Sequence, residues 1–144
     1  MTERPRVLFL CTGNSCRSQM AEGWLRHFAP ENAHVFSAGT KPAGLNPMAV
    51  AAMREAGVDI SQQRSKHVEE LLQEDFLFVV TVCDSARETC PAFPGALYHL
   101  HWSFDDPARA VGTEEQQMAV FRRVRDEIRE RVREFAEREG LAPR

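Results

Sequence analysis

Hydrophobic and polar positions follow two rhythms along the chain. Residues 7–10, Val-Leu-Phe-Leu, form an unbroken apolar run that ends in a Gly/Asn/Ser segment. This is the pattern of a buried strand followed by a loop. Over 18–28 the apolar residues Met20, Ala21, Trp24, Leu25 and Phe28 recur at helical spacing. Residues 34–37 read as a second short strand, closed by Ala38-Gly39. A second helix is expected over 47–56, with Pro47 in its first turn and Gly57 just past its end. Residues 68–73 read as a short helix. Residues 76–82, Phe-Leu-Phe-Val-Val-Thr-Val, are apolar nearly throughout, which predicts a strand of a parallel sheet buried on both faces. The polar segment 83–90 is expected to be partly helical, and the alternating stretch 98–102 reads as a fourth strand. Thr113-x-x-Gln116 is a capping-box pattern. It opens a long helix in which Met118, Phe121, Val124, Ile128, Val132 and Phe135 make one apolar stripe. The Arg and Glu residues of that helix read as a solvated face, and Gly140 and Pro143 end it.

Strands therefore alternate with helices throughout. The prediction is a single α/β domain over 1–144, a three-layer sandwich with a four-stranded, mainly parallel sheet and helices on both faces. Ligands of such sheets bind beyond the carboxyl ends of the strands. The loops after Leu10, Val82 and Trp102 lie there, and they hold residues 11–17, 83–90 and Asp105-Asp106-Pro107.

Composition narrows the function classes. The chain has 144 residues, 43% hydrophobic and 27% charged, with a net charge of −3. It is long enough for one core without staples. Its charge does not mark a nucleic-acid binder. No apolar run approaches the roughly 18–20 residues that span a bilayer. The short apolar stretch after the N-terminus does not make a signal peptide, so a cytoplasmic, reducing location is expected. Four cysteines, at 11, 16, 83 and 90, are then catalytic, metal-binding or inert. There is no C-x-x-C, and His99 and His101 lack a further ligand motif. No metal is expected.

The segment Cys11-Thr-Gly-Asn-Ser-Cys-Arg17-Ser18 places a thiol, five residues, an Arg and a hydroxyl between a strand and a helix. Five residues can curl so that the backbone N–H groups of Thr12, Gly13, Asn14, Ser15 and Cys16 cradle a tetrahedral oxyanion. Gly13 and Asn14 tolerate the dihedrals such a ring needs. The following helix adds its positive end, and Arg17 can fork two donors onto the anion. The same field favours the thiolate of Cys11, to which the Ser18 hydroxyl can donate.

Residues 7–18, with the late Asp106-Pro107, resemble the low-molecular-weight protein tyrosine phosphatase superfamily. The resemblance implies that fold, Cys11 as nucleophile and Asp106 as general acid. Within the superfamily, Cys83 and Cys90 after the third strand, and Ala108 where phosphatases usually carry an aromatic residue, are similar to thioredoxin-coupled arsenate reductases. This implies reduction of arsenate to arsenite through Cys11, Cys83 and Cys90. It also implies reduced thioredoxin as electron donor, no tightly bound cofactor, phosphate or sulfate as competing anions, and weak phosphatase side activity. The alternative is a low-molecular-weight phosphatase whose Cys83 and Cys90 protect it. Thioredoxin-coupled relatives often hold potassium with Asn, Glu, Ser and Asp. Asn14, Glu22 and Ser37 match three positions, and Lys66 stands where the Asp would be. The expectation is a loop supported by Asn14, Glu22, Ser37 and the Lys66 ammonium, with weak or no potassium dependence. A helix over 83–90 would hold its two cysteines about 10 Å apart, too far for a disulfide, so that segment is expected to deform on oxidation.

Overall fold

The computed structural model of the chain describes residues 4–84 and 92–143. The elements are β1 (Arg6–Cys11), α1 (Arg17–Phe28), β2 (His34–Gly39), α2 (Pro47–Glu55), β3 (Phe76–Thr81), β4 (Ala96–His101) and α3 (Glu114–Arg138). The strands form one sheet in the order β2-β1-β3-β4, and all three pairings are parallel. The low-molecular-weight-phosphatase-like α/β architecture expected from the sequence is therefore present, with a wholly parallel sheet.

Helix ends follow local chemistry. Asn46 caps α2, its Oδ1 accepting from the N–H of Met48 at 2.8 Å, and Pro47 follows where its missing N–H costs nothing. The capping box of α3 closes both ways: Thr113 Oγ accepts from Gln116 N at 3.1 Å, and Thr113 N donates to Gln116 Oε1 at 2.8 Å. Gly140, at φ +70°, turns the chain after α3, and Leu141 N reaches back to Ala136 O at 2.8 Å. The expected helix over 68–73 contracts to a 3-10 turn, Val68–Leu71, opened by His67.

The two sheet faces are covered unequally. Val7 and Phe9 of β1 and Val80 of β3 meet Met20, Trp24 and Leu25 of α1, Ala52 and Met53 of α2, and Phe121, Val124, Ile128 and Val132 of α3. All three α-helices thus share one core. On the opposite face Leu8, Leu10, Ala38 and Val79 pack against Val68, Leu71 and Phe93. Among the described residues that second layer is a 3-10 turn and loop residues rather than α-helix. The sequence of β1 anticipates this double burial, since residues 7–10 are all fully buried. The segment 83–90, apart from Cys83 and Asp84, lies outside the described residues, and so does Cys90.

Candidate active site

The carboxyl end of β1 runs into the 12–16 loop, and α1 starts at Arg17 with no side-chain cap on its first turn. Its leading amides are left to face whatever occupies the loop. The loop carbonyls are turned outward. Thr12 O accepts from Lys41 N at 2.9 Å, Gly13 O from Ala43 N at 2.9 Å, and Ser15 O from Asn46 N at 3.1 Å. Asn14 O accepts from Gln19 Nε2 at 3.0 Å. In a planar trans peptide the next N–H points opposite to each carbonyl. The amides of Gly13, Asn14, Ser15 and Cys16 therefore point into the ring, as an oxyanion cradle needs. The Asn14 amide meets Cys11 Sγ at 3.2 Å.

One of the two residues expected to carry the unusual dihedral does so. Asn14 sits at φ +47°, whereas Gly13 does not enter the left-handed region, and a Cβ there would make only ordinary contacts. The glycine the loop requires is Gly39, at the end of β2. A Cβ on it would lie 2.4 Å from Thr12 O and 3.0 Å from Asn14 N. Sequence reading saw Gly39 only as a strand terminator.

Asn14 organises the site. Its Oδ1 accepts from Lys66 N at 2.9 Å and from Gln19 Nε2 at 3.1 Å. A backbone N–H can only donate, so the amide orientation is fixed. Its Nδ2 then donates to Ser18 Oγ at 2.8 Å and Ser37 Oγ at 3.0 Å. Ser18 Oγ lies 2.9 Å from Cys11 Sγ. Having accepted from Asn14, the Ser18 hydroxyl keeps its own proton, which it can give to the Cys11 sulfur. Ser37 Oγ donates to Glu22 Oε1 at 2.6 Å.

Lys66 joins this set through its backbone. Its ammonium lies on Arg64 O at 2.9 Å, and burial lowers its pKa. The cation on Glu22 is Arg26, whose Nε is 2.9 Å and Nη2 2.8 Å from Oε2. Sequence reading missed Arg26, and it missed Gln19 and Gln63, whose Nε2 donates to Gln19 O and Oε1 at 2.9 Å. A fully buried Gln leaves no apolar periodicity signal.

Arg17 bridges to the loop after β4. Its Nη1 donates to Phe104 O at 3.1 Å, and its Nη2 stands 3.7 Å from Asp106 Oδ2. Asp106 Oδ1 accepts from Ala108 N at 3.0 Å, so Asp106 caps the Asp-Pro turn while its other oxygen faces the site. Asp105 points the other way and pairs with Arg123 at 3.0 Å. Trp102 is buried against Phe9 and Phe135.

The cysteines differ sharply. Cys16 is pushed up to about 12, first by burial and then, against a lowering hydrogen bond from Ser15, by the charges of Asp106 and Cys11. It is a protonated thiol at neutral pH and no nucleophile. Cys83 follows Val82, whose N–H donates to Leu10 O at 3.0 Å, so it lies at the end of the strand beside Cys11. Cys83 is fully buried and disulfide-bonded, while Cys11 and Cys16 are free. The bond therefore does not involve the loop thiols.

A four-stranded parallel sheet ending in a thiol-bearing oxyanion loop, with an Arg and an Asp-Pro beside it, defines a phosphatase-type fold and site. The chain belongs to the low molecular weight phosphotyrosine protein phosphatase family, whose model matches residues 6–141. It is 53% identical over 131 residues to the arsenate reductase of Halalkalibacterium halodurans, covering 91% of this chain and 94% of that protein. It is similar to the structure of an arsenate reductase in the phosphate binding state, with TM-score 0.79, 33% identity, and coverage of 93% of this chain and 98% of the other. It is also similar to the thioredoxin-dependent arsenate reductase of Corynebacterium glutamicum, with TM-score 0.73, 28% identity, and coverage of 97% of this chain and 64% of the other. Among the described residues no helix is long and apolar enough to cross a membrane.

Proposed function

We propose that this protein is an arsenate reductase that draws its electrons from thioredoxin. The observation that carries the reading is Cys83 at the end of the strand beside Cys11, in a chain 53% identical to a curated arsenate reductase. Arsenate is a tetrahedral oxyanion that fits a loop built for phosphate. In the proposed reaction the Cys11 thiolate attacks arsenic, and a hydroxyl leaves as water with a proton from Asp106. The loop amides and Arg17 hold the charge on the remaining oxygens. The Cys83 thiolate then attacks Cys11 Sγ. The S–As bond breaks, its electron pair goes to arsenic, arsenite leaves, and a Cys11–Cys83 disulfide forms. Attack by the Cys90 thiolate on Cys83 releases Cys11 and leaves a Cys83–Cys90 disulfide, which the thioredoxin dithiol reduces.

The test is arsenate-dependent NADPH oxidation with purified thioredoxin and thioredoxin reductase, with arsenite identified as product. Sustained turnover that is lost on Cys11→Ser, Cys83→Ser or Cys90→Ser is expected. No arsenate turnover, with hydrolysis of an aryl phosphate that needs Cys11 but not Cys83, would overturn the reading in favour of a phosphatase.

A further inference from the structure

The two edges of the sheet are treated differently. β2, at one end, is closed off: Arg26 Nη2 donates to Val35 O at 2.9 Å, and Gly39 N donates to Lys66 O at 3.0 Å. β4, at the other end, is six residues long and holds no Lys, Arg or Pro. Among the described residues nothing pairs with its outer edge. Leu97 is 70% and Tyr98 53% exposed there. Folded proteins blunt such an edge with charge, proline or cover, and β4 shows none of these.

The face beside that edge is unfinished as well. Tyr98 stacks on Phe78 at 5.4 Å, and Phe78 meets Phe135 of α3 at 5.0 Å, so Tyr98 lies on the helix side of the sheet. A groove of about 490 Å³ runs between β4 and α3. Its apolar lining includes Tyr98, Leu100 and Phe135, and its charged lining is Arg131, Glu134, Arg138 and Glu139. Five other arginines of α3, at 122, 123, 125, 129 and 133, each hold a carboxylate of this chain. Among the described residues the four groove charges hold none; Arg131 lies over the Trp102 ring at 5.5 Å. Two positive and two negative charges do not select a strongly charged partner. Along the chain they read plus, minus, plus, minus, and an antiparallel copy reads the same order backwards, so each charge meets its opposite.

We propose that the outer edge of β4, with this groove, binds a second copy of the chain. The two β4 strands pair antiparallel about a two-fold axis, and their outward amides and carbonyls find partners in each other. Directly opposite residues of an antiparallel pair point to one face. An axis at His99 therefore sets Tyr98 opposite Leu100 of the second copy, both on the helix side, where each tyrosine flanks the other copy's groove. The two α3 helices then stand on the same face of one continuous sheet. Phe135, in the middle of the four charges, is level with Tyr98 through Phe78. The axis that pairs the strands thus also brings the arginines of one copy toward the glutamates of the other. Such a dimer extends the sheet sideways, whereas the reactive loop lies beyond the carboxyl end of β1. The inference does not rest on the proposed reaction.

The experiment is sedimentation velocity over a range of concentrations. The wild type is expected to show a reversible monomer–dimer equilibrium. Arg131→Glu with Arg138→Glu makes the charged lining wholly negative, and Glu134→Arg with Glu139→Arg makes it wholly positive. All four residues are exposed, so native circular dichroism and unchanged turnover are expected of both variants. Each alone is expected to self-associate at least about tenfold more weakly than the wild type, and an equimolar mixture is expected to form a mixed dimer. Adding Tyr98→Lys to the positive variant is expected to abolish that mixed dimer, which ties the charges to the strand edge. A wild type that remains a monomer at about 1 mM would overturn the proposal and leave the edge to a strand of another protein. Reversed variants that dimerise like the wild type, or a mixture that does not associate, would overturn it too. Absence of arsenate turnover would sink the functional reading and leave these comparisons intact.

Discussion

The loop end of the sheet and the outer face of α3 are both dense in polar side chains, and they use them in opposite ways. Around the loop, Asn14, Ser18, Gln19 and Ser37 are all fully buried and bonded to one another, to the backbone or to the Cys11 sulfur at 2.8–3.1 Å. On α3, Arg133 meets Glu130 at 2.8 Å and Glu137 at 3.0 Å, and Arg123 meets Glu127 at 2.9 Å, all with exposed side chains. A buried group that loses its partner has no water to turn to and forfeits its full desolvation cost. An exposed ion pair exchanges one set of partners for another at little net change. One region is therefore over-determined and holds a reactive geometry; the other keeps the helix soluble and tolerates change.

The contrast is broken most directly at Gly39. In Gly39→Ala the new methyl would meet Thr12 O at 2.4 Å, and the obstruction is backbone that cannot rotate away. The loop must shift, and a displacement of about 1 Å at a reacting centre costs on the order of 100-fold in rate. Arsenate turnover and phosphate binding are both expected to fall by at least that order, with a lowered melting temperature. Wild-type phosphate affinity by calorimetry would show that the close approach does not hold the loop. A smaller effect is expected from Gln19→Leu, which keeps volume but removes the donor to Asn14 O, Asn14 Oδ1 and Arg64 O. Stranding these acceptors should cost about 2–3 kcal/mol in urea unfolding. A loss below about 0.5 kcal/mol would mean that water replaces the amide there.

These two residues also mark how far the sequence could be read. Elements with strong periodicity were legible: the apolar run of β1, the capping box at Thr113 and the stripe of α3 all lie where expected, because local propensity and burial agree there. The reactive loop was legible as well, since Cys11, Arg17 and Ser18 belong to one contiguous segment. Its support was not. Gly39 matters through a contact with Thr12 that only the β1–β2 pairing creates. Gln19, Arg26, Gln63 and Arg64 act across turns and between elements, and a polar residue on a helix buried on every side has no pattern of its own. Lys66 was placed correctly beside Asn14, but its backbone N–H makes the contact. Its ammonium also feels the Glu22 carboxylate, whose charge works against the lowering effect of burial.

Cys16 gives a more modest test of the buried side of the comparison. Its thiol pKa is raised from 9.0 to about 12, chiefly by burial. The folded state therefore keeps a proton that the unfolded chain releases above pH 9. Stability from this group is complete below pH 9 and is lost as pH rises from 9 toward 12. Between pH 8 and pH 10 the wild type should lose about 1 kcal/mol that Cys16→Ala does not lose, measured by urea unfolding of reduced protein at both pH values. Equal losses in the two proteins would show that water reaches the Cys16 sulfur.

The smallest effect is expected where polar contacts are most numerous. Arg133 makes two ion pairs on the solvent side of α3, with Glu130 and Glu137, and both acids remain hydrated when it is removed. Arg133→Gln keeps helix propensity close to that of Arg and leaves the buried stripe of Val132 and Phe135 untouched. Turnover should be unchanged, and any shift in melting temperature should vanish in about 1 M salt, where screening acts within about 3 Å. A salt-resistant loss of stability would mean that these pairs act as a cooperative network rather than as independent surface contacts. The difference between the two regions would then lie in connectivity, and burial alone would not explain it.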